Sequence, residues 1–199
     1  MKKFIIGIDL DDCLADSISA FTRLANKKFG RPALGAQPCD WEWSNFGLSR
    51  EEQKSIWDDI KEIPNFWVDL ERESGFTPCR LWSMDRDHDV YFPTARVNTK
   101  GHNARKQSSE WIYNWTNIRY PSVITAYEKG PMARALKYDY FLDDRPKNCQ
   151  DIHDALPNCK VYLKDSSHNQ AFVCPEWLIR IQDFNEFEKI VNDAAQEEQ

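Results

Sequence analysis

Four groups of residues follow one another along the chain with the makings of a single chemical site: Asp9-Leu10-Asp11, Thr94, Lys129 and Asp143-Asp144. Carboxylates at both ends, with a hydroxyl and an amine between them, are what a Mg²⁺-dependent phosphoryl-transfer site requires. Asp9 and Asp11 sit two residues apart, a spacing that puts both side chains on one side of an extended chain. Two close carboxylates repel, so one tends to hold a proton. Both forms are useful. An ionised carboxylate can attack phosphorus and form an aspartyl-phosphate. A protonated one can give its proton to the leaving oxygen and then activate water. An acidic cluster facing a phosphate needs positive charge, and Mg²⁺ takes oxygen ligands of this kind. Asp143-Asp144 offers a further ligand, Lys129 a point charge for the phosphate, and the Thr94 hydroxyl with the Ala95 N–H two donors to phosphate oxygens.

Each signal has an ordinary explanation when taken singly. An acidic pair after a strand is often only solvated, a threonine at a strand end often caps something, and a lone lysine is more often on the surface. The order of the set, and its placement, carry the reading.

That placement comes from the elements around the four groups. Phe4–Ile8 is a short continuous apolar run, the pattern of a buried parallel strand. His88–Phe92, Val123–Ala126, Tyr140–Leu142 and Val161–Leu163 read as further strands. Asp9, Thr94 and Asp143 each stand at the end of such a run, with Lys129 three residues past Ala126. Helical spacing appears at Ile18, Phe21, Leu24, Ala25 and Phe29. It recurs after the capping box Ser49-Arg50-Glu51-Glu52, at Ile56, Trp57, Ile60 and Ile63. Trp111, Ile112 and Trp115 mark another helix, Pro131–Leu136 a short one with proline near its start, and Asn185 to Ala194 the last. Strands alternating with helices predict an α/β fold with a parallel sheet, whose ligands bind beyond the carboxyl ends of the strands. Residues 16–75 carry no strand signal.

The 199 residues suit one domain, or a core with a small insertion. A net charge of -6 argues against tracking along nucleic acid, which needs a basic face. The apolar start is cut short by Asp9, Asp11 and Asp12, unlike a signal peptide. No run approaches the ~18 apolar residues of a membrane span. The cysteines are scattered, form no C-x-x-C pair and do not cluster with the four histidines. Reduced thiols in a cytoplasm are expected, and a zinc site is not. The eight tryptophans are read first as packing residues.

The order of the four groups is the pattern of the haloacid dehalogenase (HAD) superfamily of phosphatases. Asp9-Leu10-Asp11-Asp12-Cys13-Leu14-Ala15-Asp16 resembles its first motif, Phe92-Pro93-Thr94-Ala95-Arg96 the second, Lys129 the third and Leu142-Asp143-Asp144-Arg145-Pro146 the fourth. The chain resembles most the 5'(3')-deoxyribonucleotidase family. That likeness rests on Leu14-Ala15-Asp16, Ser55-Ile56-Trp57, Pro64-Asn65-Phe66-Trp67 with Asp69-Leu70-Glu71, and Asp143-Asp144-Arg145-Pro146, and spans about residues 4–190.

The resemblance implies a Rossmann-like, three-layer, parallel-sheet core over 1–16 and 76–199, with a small helical cap over 17–75 inserted after the first strand. It implies Mg²⁺-dependent removal of phosphate from nucleoside monophosphates, deoxy ones preferred. Asp9 would be the nucleophile and Asp11 the acid/base. Asp9, the main-chain carbonyl of Asp11 and an aspartate of the 143–144 pair, Asp144 in preference to Asp143, would hold the metal. Thr94, Ala95 and Lys129 would hold the phosphate. Family aromatics that grip base and sugar fall at Trp57 and near Trp41 and Trp43, where the match is gapped, while another falls near Ser17, which is small and polar. Phe66 and Trp67 are read as packing at the cap hinge, Asp12 as a turn residue, and Cys13 as a loop residue without catalytic function. Arg96 and Arg145 are candidates for phosphate contacts or for surface ion pairs. The expected partner is a small nucleoside monophosphate, not long nucleic acid or a membrane, and a homodimer is one option for assembly. The alternative substrates are a sugar phosphate or a polynucleotide 3'-phosphate. A receiver-type signalling domain, which also uses an acidic pair, a threonine and a lysine, would put the acidic pair first and the phosphorylated aspartate on a middle strand. Here the double aspartate comes last.

Overall fold

The computed structural model describes residues 2–30 and 47–197. Trp41 and Trp43 lie outside the described residues. The sheet is six-stranded and parallel in the order β3-β2-β1-β4-β5-β6. Its strands are β1 (Ile5–Ile8), β2 (Asp89–Thr94), β3 (Ser122–Thr125), β4 (Tyr140–Asp143), β5 (Lys160–Lys164) and β6 (Leu178–Ile181). From β1 the chain moves outward through β2 to β3, then returns to lay β4 on the other side of β1 and continues through β5 to β6. The direction of winding therefore reverses between β1 and β4, the position where open α/β sheets bind ligands.

Alternation along the strands divides the core in two. Ile6, Ile8, Tyr140, Leu142 and Tyr162 point to one face, where they pack with α3 (Pro78–Asp87), α4 (Ala104–Thr116) and α7 (Phe184–Glu197) through Leu81, Met84, Trp111, Ile112, Phe187 and Val191. Phe141, Val161 and Leu163 point to the other, against α5 (Gly130–Leu136) and α6 (Pro146–Ala155) through Ala133, Cys149 and Ile152. Burying each large side chain stabilises the fold by ~1.5–3 kcal/mol. Gly7 lies on this second face, and a Cβ there would come within 2.6 Å of the Phe141 ring. The glycine leaves room for the Phe141 and Tyr138 rings to lie across β1 beneath the site.

Between β1 and α3 stand α1 (Ser17–Phe29), α2 (Arg50–Glu62) and a 3-10 turn at Phe66–Val68, none of which adds a strand to the sheet. The predicted capping box is formed: Ser49 accepts from the Glu52 N–H and Glu52 accepts from the Ser49 N–H. The chain leaving β1 and the chain returning to α3 run side by side, with Asp16 N–H donating to Glu71 O and Glu73 N–H to Leu14 O.

Three elements have no counterpart among the predicted ones. α3 and α6 each open with a proline at the first turn, but they bury few apolar side chains, so their period is faint. β6 is an edge strand of four residues with only its first and last buried. The second strand runs on through Pro93 to Thr94 instead of stopping at Phe92. Its pairing with β1 has ended by Tyr91, so Pro93 has only β3 to pair with and its missing N–H costs little there.

Candidate active site

The reversal point brings the predicted residues together. Asp9 directly follows β1 and its N–H donates to Leu142 O of β4. Asp9 therefore lies beside Asp143 and Asp144. Past Asp9 the chain turns tightly: the N–H groups of Leu14 and Ala15 both reach Leu10 O, and Asp12 adopts a left-handed φ of 56°. Leu10 is buried, so Asp9 and Asp11 face the same pocket. Asp12 is the turn residue the sequence suggested, and more: its carboxylate accepts from the N–H groups of Ser17 and Ile18 and from the Ser17 hydroxyl, closing the start of α1.

The pocket has a volume of about 240 Å³. Asp9, Asp11, Lys129, Ala95 and Arg96 form its polar side, and Trp57, Trp67 and Tyr127 its aromatic side. Thr94 is buried and borders a neighbouring depression that shares Ala95 and Arg96 with the pocket. Trp57 projects from α2 and packs on Phe21 of α1 at 5.4 Å between ring centroids. Trp67 is buried, with its indole N–H on Val97 O and its ring against Phe66, as expected of packing residues, and it also forms part of the pocket wall.

Lys129 opens α5 and is 1% exposed. Its ammonium stands 2.7 Å from Asp9 Oδ1 and 2.6 Å from Asp143 Oδ2. Burial acts to lower its pKa, but Asp143 and Asp9 outweigh burial and raise it, so it stays charged. Asp143 also accepts from the Arg145 N–H at 2.9 Å and from the Asn148 amide at 2.9 and 3.1 Å. Both its oxygens accept hydrogen bonds, which leaves Asp144 as the freer of the two for a metal. The work of Asp143 is to hold Lys129 and the turn into α6. Arg145, through that N–H, belongs to the same turn and lines the pocket.

Asp144 is as buried as Asp143 but has different surroundings. It is fully buried, and neither oxygen makes a hydrogen bond among the described residues. Nε2 of His168 lies 2.6 Å from Oδ2, off the line of a hydrogen bond. Burial, with Asp143 beside it, pushes the Asp144 carboxyl up to about 8. Burial likewise raises Asp9 and Asp12, the first against the pull of Lys129 and with Asp143, Asp144 and Asp11 adding to it, the second with Asp144 adding to it. Oxygens of Asp9 and Asp144 and the Cys13 sulfur all lie within 4.8 Å of one another. Burial and the same aspartates raise the Cys13 thiol well above its ordinary value, which keeps it protonated and unfit as a nucleophile. A carboxylate buried without hydrogen bonds, next to a second one, fits a hard cation with oxygen ligands.

Two features have no signal in the sequence. Arg96 is buried and bonds Asp11, instead of pairing at the surface. His168 is carried to Asp144 by a loop pinned through Asn169, whose amide donates to Asp144 O at 2.7 Å and Lys164 O at 2.8 Å, while Arg180 holds Asn169 Oδ1 at 2.6 Å. A histidine 24 positions beyond an aspartate has no period that links them.

Comparison with known proteins agrees with this geometry. A "Putative nucleotidase" of Bacillus cereus is 24% identical over 182 residues, covering 85% of this chain and 90% of its own. Among solved structures, a haloacid dehalogenase-like hydrolase of Streptococcus pneumoniae superposes with a TM-score of 0.57 at 13% identity, over 94% of this chain and 98% of that one. A "putative HAD-hydrolase" of Bacillus subtilis, "bound to magnesium", gives 0.56 at 12% identity, over 96% and 100%. These likenesses show the HAD fold. The family model described as "5' nucleotidase, deoxy (Pyrimidine), cytosolic type C protein" matches residues 3–196, nearly the whole chain. With its four motifs gathered at one sheet edge, this chain belongs to that nucleotidase family of HAD hydrolases.

Proposed function

We propose that the protein hydrolyses the phosphate ester of nucleoside monophosphates, deoxy ones preferred, as a Mg²⁺-dependent phosphatase of the 5'(3')-deoxyribonucleotidase type, with residues 17–75 as its cap. The observation that carries the reading is a lysine-neutralised Asp9 on the pocket wall with, within 4.8 Å of it, a buried Asp144 whose oxygens make no hydrogen bond among the described residues.

The Asp9 and Asp144 carboxylates and the main-chain carbonyl of Asp11 would hold Mg²⁺. Bound there, the cation supplies the positive charge that lets an anionic carboxylate approach an anionic phosphate. The chain's own residues do the rest. Lys129 holds one oxygen of Asp9 and leaves the other to attack phosphorus, forming an aspartyl-phosphate as the ester P–O bond breaks. Asp11 gives a proton to the departing sugar oxygen. It then takes one from the water that attacks the phospho-Asp9, returning the Asp9 carboxylate and releasing phosphate. Thr94 and Ala95 donate to the remaining phosphate oxygens. Trp57 offers an aromatic face to the base. A pocket of about 240 Å³ is of a size for a small phosphomonoester.

The test is phosphate release from a panel of nucleoside monophosphates and sugar phosphates, with Mg²⁺ and with EDTA. Release from deoxynucleotides with Mg²⁺ is expected, with Asp9→Asn lowering kcat by at least ~10³-fold, on the scale of a lost nucleophile. Release from sugar phosphates alone would overturn the substrate, and release from none would overturn the enzyme.

A further inference from the structure

Arg96 stands at the carboxyl end of the second strand, two residues past Thr94, with its side chain wholly buried. Its Nε donates to the two oxygens of Asp11 at 3.0 and 3.1 Å, and its Nη2 donates to Oδ1 at 2.8 Å. The far side of the guanidinium is anchored as well: Nη1 donates to the Ser108 hydroxyl on α4 at 3.1 Å. Trp67 and Trp111 flank it at 4.9 and 6.0 Å. Among the described residues, Arg96 alone bonds the Asp11 carboxylate. Asp11 itself sits on a loop and is partly exposed, and no other described side chain bonds its carboxylate. A planar fork clamped at its back by a helix and by two rings sets a carboxylate in one place, which a lysine or a solvent-exposed pair does not.

We infer that Arg96 is the positioning residue for Asp11, holding its carboxylate where both proton transfers take place and not touching the substrate phosphate itself. The inference rests on the reading of Asp9 and Asp11 given above. It makes a distinction between the two half-reactions. With p-nitrophenyl phosphate the leaving phenolate needs no proton donor, so phosphorylation of Asp9 proceeds without help from Asp11. Hydrolysis of the phosphoenzyme still requires Asp11: water oxygen bonds to phosphorus, its proton passes to Asp11, and the bond from phosphorus to Asp9 breaks. Misplacing a carboxylate by about 1 Å is enough to cost ~10²-fold in such a step.

The experiment is rapid-quench kinetics of wild type and Arg96→Met on p-nitrophenyl phosphate with Mg²⁺, followed by intact-mass analysis of acid-quenched protein. Arg96→Met is expected to release nitrophenolate in a burst of near one equivalent, then to turn over ~10²-fold more slowly than wild type. The quenched protein is expected to carry one phosphate. On a deoxynucleotide, whose leaving oxygen needs the proton, the same variant is expected to lose the burst too, with KM little changed. Arg96→Lys keeps the charge without the fork and is expected to recover only part of the rate. A variant that merely folds poorly would shrink the burst without slowing turnover per active site, and this outcome in both variants would overturn the inference. So would a raised KM with unchanged kcat, which would make Arg96 a phosphate ligand. Wild type inactive on both substrates would instead overturn the reading of the site beneath it.

Discussion

The two flanks of Asp9 solve the problem of buried charge in opposite ways. On the Lys129 flank every charge is answered: Lys129 bridges Asp9 and Asp143, and Asn148 and a backbone N–H complete Asp143. On the Asp144 flank the carboxylates of Asp144, Asp12 and Asp9 crowd one another, and Asp144 has no hydrogen bond among the described residues. The nearest groups of opposite sign give little relief. Burial drives His168 toward its neutral form, and Lys164 is already bonded to Glu73 and Ser166. The first flank is complete as protein. The second is at rest only when it holds protons or a cation, which is the property wanted of a metal site and a burden on the fold without one.

The sharpest way to break this contrast is to neutralise the two adjacent aspartates separately. Asp143→Asn removes one of two partners from a buried ammonium and should cost ~3–5 kcal/mol of stability. Asp144→Asn removes a repelling carboxylate and should leave the metal-free fold as stable as wild type or more so, while abolishing any stabilisation by Mg²⁺. Urea unfolding with EDTA and with saturating Mg²⁺ measures both. Equal losses in the two variants would show that the flanks do not differ.

A titration sharpens it further. Asp144 has its carboxyl raised to about 8, with Asp9 and Asp12 displaced in the same direction. An acid that keeps its proton longer in the folded state than in the unfolded chain contributes stability at low pH and loses it as pH rises through the folded pKa. His168, with its lowered pKa, works in the opposite direction close to 6.5, where the unfolded histidine still holds part of a proton, and adds little slope from about pH 7.5 upward. From there to pH 8 the metal-free protein should lose stability, by up to about 1.4 kcal/mol per pH unit for each such proton held. With saturating Mg²⁺ the slope should vanish, because the carboxylates are then ionised throughout. Melting temperatures across that range check it, and a slope that survives Mg²⁺ would mean that the protonated groups lie away from the metal.

How far this was legible in the sequence follows the same division. Short-range features were: the apolar runs ending in Asp9, Thr94 and Asp143 are strands, and Ser49 and Glu52 cap a helix as their spacing says. Elements held by context were not. β6 buries two of four residues, and α6 relies on Cys149 and Ile152 for its apolar face, so neither rises above background. At the site, identity and order revealed which residues assemble, but not how they divide the labour. Asp143 and Asp144 are chemically the same residue and differ only in what surrounds them. Arg96 and Asp11 meet across 85 positions, a distance at which charge pairing leaves no periodic trace.

The smallest expected effect concerns the aromatic wall, where Trp57 and Trp67 face the same pocket under different constraints. Trp67 is 3% exposed, its N–H is engaged by Val97 and its ring supports Arg96, so removing it would disturb Asp11 and the fold together. Trp57 is only partly buried and packs on Phe21 alone among the described aromatic rings. It can be cut back with less damage. If its face stacks on a base, Trp57→Ala should raise KM for deoxynucleotides by roughly 5–100-fold, the range of ~1–3 kcal/mol for one base on one ring. On a small alkyl phosphate, which has no ring to stack, the same variant should leave KM nearly unchanged and kcat intact. A parallel rise on both substrates would make Trp57 a buttress for Phe21 and α1, and recognition of the base would then fall to another part of the pocket wall.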